Sequence, residues 1–292
     1  MANEPLISLP LRPLETISHP SFKLPPGSWD THVHVFGPAQ RYPHVADPRY
    51  TLPDGTVEQY RQLMPLLGVE RFVLVQPSFY GTDNSCLTDT LASVGDLARG
   101  VAMLEPDVPE AELRQLHVAG VRAIRLDLFK RADDPPKAVG DYIDWMAGIA
   151  LRFGWHLQFY TPGRLVLDLL HQLSNLPVDF VIDHMGYLLE PRSGAEDDLA
   201  RLLGLLETGR CYLKLSGSYR IAKYGSQDWI DSVARAIVER APERALWGSD
   251  WPHISFSDVD TGEIASRLAE WAPSDQERNL ILVENPRRLF AT

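Results

Sequence analysis

Two histidines near the start of the chain are the first candidates for chemistry. They lie in a β-rich run that reads Asp30-Thr31-His32-Val33-His34. Side chains alternate between the two faces of a strand, so Asp30, His32 and His34 are predicted to share one face. Two adjacent imidazoles at a strand end can hold a metal ion or polarise a carbonyl group, although a hydrogen-bonded structural pair is the more common meaning of this spacing.

Two further candidates end later β-rich runs. His184 is predicted to face the interior of the fold, whereas Asp183 beside it is predicted to point outward as a structural anchor. Asp250 ends the last run, where the small Gly248 leaves room beside it. A carboxylate there could simply cap a turn, but beside imidazoles it can act as a general base toward water. The joint pattern favours one shared site.

Such a site needs a scaffold that brings strand ends together. Eight β-rich runs alternate with amphipathic stretches, and these runs are 29–35, 71–76, 100–104, 121–128, 156–160, 179–184, 211–216 and 245–250. The predicted helices are 57–67, 110–119, 141–153, 165–174, 197–207, 227–239, 262–271 and 274–283. Eight nearly continuous apolar runs are typical of the parallel strands of a (β/α)8 TIM barrel, although an open doubly wound sheet shares the alternation. The sequence therefore predicts an α/β barrel that carries its catalytic groups at the carboxyl ends of the strands.

Composition narrows the class of protein further. The 292 residues include 28 Lys+Arg and 39 Asp+Glu, a net charge of -11, which argues against nucleic acid or an anionic membrane surface as a partner. No apolar run approaches the roughly 20 residues of a membrane-spanning helix. Two cysteines cannot form a disulfide framework, which favours a reducing, cytoplasmic location.

The domain organisation is predicted to be simple. Residues 29–292 are expected to form one barrel domain, and residues 1–28 an extended N-terminal arm broken by prolines. The arm lacks the basic start and unbroken apolar stretch of a secretory signal. We expect it to lie over the protein surface or over a neighbouring subunit of a homo-oligomer.

The ends of strands four and five bear on metal binding. Arg125 and Asp127 share a face at the end of strand four, where a guanidinium group opposes a binuclear metal centre. His156 begins strand five, at the wrong end of the barrel, and Tyr160 stands at its exit. A mononuclear zinc site remains open, with ligands drawn from His32, His34, His184 and Asp250.

Taken together, these motifs resemble the amidohydrolase superfamily and, within it, the 2-pyrone-4,6-dicarboxylate lactonase family. The resemblance covers residues 28–290. The segments that carry it are residues 30–38, residues 81–84, Ile124-Arg125 with Lys130-Arg131, residues 182–186 and residues 247–253.

The resemblance implies a hydrolase that opens a small carboxylated lactone during the breakdown of aromatic compounds, without a metal or other cofactor. By this resemblance, Asp250 would activate water. The residues that would polarise the lactone carbonyl are His32, His34 and His184. A zinc-dependent lactonase of the same superfamily, acting on a muconolactone, a sulfomuconolactone or a sugar-acid lactone, is the alternative.

The resemblance also implies a set of substrate-binding residues. A guanidinium group can hold a carboxylate through two parallel hydrogen bonds. The expected substrate contacts are Arg125, Arg131, Arg220, Tyr50, Tyr160, Ser78 and Asn84. The family commonly has an arginine where this chain has Tyr187, so the substrate is expected to carry one acidic group fewer, or a different one.

Lys214 on strand seven suggests a different reaction class. A buried lysine in a barrel can form a Schiff base with a carbonyl substrate, as in aldolases. Pairing of Lys214 with an interior acid such as Asp127 is the favoured interpretation. A barrel that only binds a ligand is a third alternative, but it has no use for a base beside carbonyl-polarising groups.

Overall fold

Eight parallel strands form a single sheet in sequential order. A computed structural model describes residue 14 and residues 16–43, 55–188, 193–222, 225–256 and 258–291. Its strands are β1 Trp29–Val33, β2 Arg71–Val75, β3 Ala98–Ala102, β4 Val121–Asp127, β5 His156–Tyr160, β6 Phe180–Ile182, β7 Cys211–Leu215 and β8 Ala245–Trp247. A parallel bridge from Val33 to Trp251 joins the first strand to the chain after the last. The predicted (β/α)8 barrel is confirmed.

Helices connect the strands and cover the outside of the barrel. They are α1 Val57–Leu67, α2 Ser85–Val94, α3 Glu110–Ala119, α4 Pro136–Phe153, α5 Gly163–Asp168, α6 Leu170–Ser174, α7 Ala195–Gly204, α8 Ser218–Ala222, α9 Gln227–Arg240, α10 Thr261–Trp271, α11 Asp275–Asn279 and α12 Asn285–Phe290. Sequence patterns did not predict α2, α8 and α12. None of the helices in the described ranges has both the length and the apolar character that crossing a bilayer requires.

Helix α1 illustrates how local sequence determines these elements. Thr56 and Gln59 form a reciprocal capping box at its start, and Gly68 ends it in the left-handed conformation that glycine adopts without strain. Its apolar stripe, which includes Tyr60 and Leu63, is buried against the barrel as the helical spacing predicts.

The interior of the barrel is apolar toward its amino-terminal end. Inward side chains of the strands, among them Val73, Val101 and Val181, pack with Phe290 of α12 in one buried cluster. This packing leaves the carboxyl ends of the strands as the place for polar groups. The described part of the N-terminal arm lies along α10, where the Ser18 amide donates to Asp260.

Candidate active site

The two histidines of β1 lie side by side at the carboxyl end of the barrel. His32 Nε2 and His34 Nε2 are 3.2 Å apart, and both residues are buried. Asp30 does not join them: it accepts hydrogen bonds from the amides of His32 and Ser249 and from the Tyr60 hydroxyl of α1. The prediction that Asp30 shares their face is wrong, because the register of β1 is irregular between Asp30 and Val33.

The end of β6 brings two side chains toward the histidines of β1. Asp183 Oδ1 lies 3.4 Å from His32 Nδ1, and the ring centres of His184 and His32 are 4.9 Å apart. The predicted outward direction of Asp183 is wrong, since β6 ends at Ile182 and strand alternation stops there. His184 then takes a positive φ of 51°. Its Nδ1 lies 2.9 Å from Ser216 Oγ.

Asp250 lies opposite the histidines, also at a positive φ, of 62°. Its Oδ1 is 3.7 Å from His32 Nε2 and 3.5 Å from His34 Nε2, and has no hydrogen-bond partner among the described residues. Its Oδ2 accepts from the Tyr219 hydroxyl at 2.7 Å and pairs with Arg220 Nε. Burial alone would raise the pKa of Asp250, but the Arg220 guanidinium group holds it well below its usual value.

Burial keeps the imidazoles of the site neutral. It lowers the pKa of His34 and lowers that of His184 to about 4. His34 Nδ1 lies 2.7 Å from the Val75 carbonyl oxygen, which can only accept, so Nδ1 carries the proton and Nε2 a lone pair. His32 Nε2 must then carry a proton, because two bare lone pairs would repel each other at 3.2 Å.

The buried ammonium group of Lys214 faces the unprotonated nitrogen of His32. Lys214 Nζ donates to the Thr31 carbonyl oxygen at 3.1 Å, and lies 3.1 Å from Asp183 Oδ1 and 3.3 Å from His32 Nδ1. Its donors therefore face acceptors, including the unprotonated nitrogen of His32. The lysine is paired with an interior acid as predicted, but the acid is Asp183 rather than Asp127.

The site opens into a cavity of about 460 Å³ at the barrel mouth. His34, His184 and Asp250 line one part of it. Cationic, aromatic and polar groups line the rest, among them Ser78, Phe79, Arg125, Asp127, Phe129, Lys130, Tyr160 and Arg220. An acidic overall chain thus presents a locally cationic cavity.

Four of the predicted substrate contacts lie in this cavity. Arg125 is buried, donates to the Gln76 carbonyl oxygen at 2.6 Å and stacks over the Tyr160 ring at 4.7 Å. Ser78 lies 3.4 Å from the same guanidinium group. Arg220 is the fourth, and its guanidinium group pairs with Asp250.

Two other predicted contacts, Arg131 and Asn84, lie outside the described cavity lining. Arg131 pairs with Asp134 at 3.2 Å and lies over the Tyr142 ring, outside the described cavity lining. The Asn84 amide is used by backbone groups of Thr82 and Met103. Tyr50 lies outside the described residues.

Sequence analysis missed Lys130 and Asp127 as cavity residues. A short helical turn after β4 points Lys130 into the cavity and Arg131 away from it. Lys130 Nζ donates to the Ser78 carbonyl oxygen at 2.8 Å. Tyr187 stands behind the cavity wall, with its ring centre 5.7 Å from that of Tyr160.

The donor atoms have the spacing of a mononuclear metal site. His32 Nε2, His34 Nε2 and Asp250 Oδ1 are separated by 3.2–3.7 Å, a spacing that suits tetrahedral zinc. A zinc ion there would act as a Lewis acid and lower the pKa of a bound water. His32 could ligate through Nε2 only after its proton moved to Nδ1.

The charge balance of the site opposes a divalent cation. The carboxylate of Asp250 is already paired with Arg220, and that of Asp183 with Lys214. Arg125 and Lys130 add two further cationic groups, against the one further carboxylate of Asp127. A metal ion would therefore raise a local charge that is already positive, and the residues present do not fit it electrostatically.

Comparisons with known proteins agree with this fold. The sequence matches the amidohydrolase family over residues 29–292. It is 33% identical to 4-sulfomuconolactone hydrolase of Hydrogenophaga intermedia, over 96% of this chain and 94% of that protein. It is 35% identical to a 2-pyrone-4,6-dicarboxylate hydrolase of Comamonas testosteroni, over 94% and 93%. An apo crystal structure from Agrobacterium tumefaciens superposes with a TM-score of 0.81 at 28% identity, covering 94% of this chain and 98% of that one.

The chain belongs to the amidohydrolase family. The resemblance to this superfamily and to its pyrone dicarboxylate lactonases is thereby confirmed. The prediction of an enzyme is confirmed as well, and the two relatives' names agree with the carboxylic-ester hydrolase class.

Proposed function

We propose that the chain hydrolyses the ring ester of a small lactone that carries an acidic group. One observation carries the proposal: a buried carboxylate, a neutral imidazole and a buried guanidinium group line the same cavity. These groups, of Asp250, His184 and Arg125, can serve as base, carbonyl donor and carboxylate ligand. The two hydrolase relatives, named for a sulfonated and a dicarboxylated substrate, support an acidic lactone.

In this proposal Asp250 accepts a proton from water. The water oxygen adds to the lactone carbonyl carbon, and the carbonyl oxygen becomes an oxyanion. The tetrahedral intermediate breaks the ring C–O bond, and Asp250 returns its proton to the leaving oxygen. The product is the open-chain acid with one new carboxyl group.

The hydrogen bonds of the histidines give them different parts in this reaction. His184 donates from Nε2 to the developing oxyanion, because the Ser216 hydroxyl can satisfy its Nδ1 at 2.9 Å. His34 Nε2 already accepts from His32 when both rings are neutral. These two rings therefore lie beside Asp250 as a hydrogen-bonded neutral pair, and His34, which lines the cavity, could donate to the carbonyl oxygen only after taking up a further proton.

Arg220 links substrate binding to the strength of the base. Its guanidinium group lines the cavity and pairs with Asp250 Oδ2. An acidic group of the substrate that binds Arg220 would weaken this pair and raise the proton affinity of Asp250. An acidic lactone should therefore gain in kcat as well as in KM over its ester.

We propose that this reaction needs no metal ion, since the carboxylates of Asp250 and Asp183 are paired and the cationic side chains at the site outnumber its carboxylates. We also propose a cytoplasmic enzyme of aromatic compound breakdown. Both cysteines, Cys86 and Cys211, are buried free thiols, which fits a reducing compartment.

A panel of lactones tests the proposal. Each ring opening releases a proton, so a pH indicator follows the hydrolysis of carboxylated, sulfonated and uncharged lactones by the purified protein. We expect turnover of lactones that carry an acidic group. Turnover of neutral sugar lactones alone would contradict the proposal.

A further inference from the structure

A carboxylate lies in the cavity at a position that the proposed reaction does not use. Asp127 is the last residue of β4, in register with Tyr160 at the end of β5, and it lines the cavity. Its side chain is only 3% exposed. It therefore belongs to the cavity wall and is almost completely shielded from bulk water.

This carboxylate is incompletely satisfied by the protein. Asp127 Oδ1 is buried and has no hydrogen-bond partner among the described residues. Its Oδ2 lies 3.9 Å from Lys130 Nζ, whose own hydrogen bond goes to the Ser78 carbonyl oxygen at 2.8 Å. A buried carboxylate with so few donors costs free energy, and a bound ligand that donates to Oδ2, the oxygen that is not fully enclosed, recovers part of it.

The surroundings restrict what that donor can be. A second acidic group would be repelled by the Asp127 carboxylate. An ammonium group would be repelled by three cationic side chains that line the same cavity, those of Arg125, Lys130 and Arg220. A neutral donor, such as a hydroxyl group, satisfies the carboxylate without either cost.

We infer that Asp127 is a specificity-determining residue that accepts a hydrogen bond from a hydroxyl group of the substrate. The substrate class is then an acidic lactone with a hydroxyl group at this position, and a lactone that places a second carboxylate against Asp127 is disfavoured. The inference rests on the proposed lactone hydrolysis and adds a requirement to it.

Asp127→Asn tests this with three substrates. Two are a butyrolactone carboxylate and its hydroxylated counterpart, and the third is 2-pyrone-4,6-dicarboxylate. Losing the charge of the acceptor should lower kcat/KM about tenfold for the hydroxylated lactone. For the butyrolactone carboxylate without the hydroxyl group, kcat/KM should change less than about threefold. It should raise kcat/KM for the dicarboxylate, a gain that a damaged fold would not produce.

Lys130→Met is the matched control. It tests the alternative in which Asp127 has no contact with the substrate and only holds Lys130 in place. If both variants lower kcat/KM for all three substrates by the same factor, Asp127 is a positioning residue and the inference is wrong. Equal losses in Asp127→Asn for the hydroxylated and unhydroxylated lactones would also overturn it. If the wild-type protein opens no lactone, the proposed function fails instead, and the two failures are distinguishable.

Discussion

Replacing Arg125 by methionine should weaken binding of an acidic lactone while leaving its methyl ester almost unaffected. Arg125 is only 3% exposed, and its guanidinium group lies over the Tyr160 ring at 4.7 Å. Hydrogen bonds between charged partners contribute about 1.5–3 kcal/mol. At about 1.4 kcal/mol for each factor of ten, KM for the acid should rise roughly 10- to 100-fold.

The same substitution has a calculable cost in stability. Arg125 donates to the buried Gln76 carbonyl oxygen at 2.6 Å, and methionine leaves that acceptor without this donor. The free energy of unfolding should fall by about 1–3 kcal/mol, measured by urea denaturation. The folded fraction at the assay temperature can therefore be checked before the kinetics are compared.

The assay measures initial rates of hydrolysis with a pH indicator for the acid and its methyl ester. Arg131→Met is the matched control, since Arg131 pairs with Asp134 outside the described cavity lining. We expect the control to leave KM within about threefold of wild type. Equal rises in KM for acid and ester in Arg125→Met would refute the carboxylate role of Arg125.

Three further predictions concern metal, packing and pH. Exhaustive chelation should leave lactone hydrolysis intact, because the site already holds more cationic than anionic side chains; metal analysis beside activity measures this. Gly248→Ala should lower kcat about tenfold or more, because an added Cβ would lie 2.5 Å from His32 Cβ and displace the ring. The free energy of unfolding should fall as pH drops from 6.5 toward 3: burial lowers the pKa of His156 to about 3, so only the unfolded chain takes up its proton in that range. His156→Gln should reduce this slope by up to about 1.4 kcal/mol per pH unit, as measured by urea unfolding at several pH values.

Each of these predictions has a contrary result. Loss of activity on chelation, restored by zinc, would assign a metal to His32, His34 and Asp250. Gly148→Ala on α4 is the control for the glycine substitution, since an added Cβ there meets nothing within 4 Å. Normal kcat in Gly248→Ala would contradict the tight fit at His32. An unchanged pH slope in His156→Gln would mean that this ring does not remain neutral in the folded protein.

Periodicity and turn signals were sufficient to predict the barrel, and to predict two of its helices to the residue. Helices α1 and α3 begin and end where the apolar stripe and the flanking glycine indicate. Strand ends were less predictable, since β6 and β8 stop three or fewer residues before the chemistry-bearing positions. Those positions adopt left-handed backbone, as His184 and Asp250 do, and strand alternation no longer applies there.

Within the site, residue types could be predicted but partners could not. Lys214 was expected to meet an interior acid, yet strand register across the barrel determines that the acid is Asp183. One helical turn after β4 exchanges the predicted Arg131 for Lys130 in the cavity. The protonated nitrogen of each histidine depends on distant acceptors such as the Val75 carbonyl oxygen, which no local pattern encodes.

Asp250→Asn tests the catalytic proposal most directly. The amide keeps the shape of the carboxylate but cannot accept the proton of water, so kcat for a carboxylated lactone should fall about 100- to 10,000-fold while its dissociation constant, measured by calorimetry, changes little. Near-normal kcat in a folded Asp250→Asn protein would contradict the role of this carboxylate as the base.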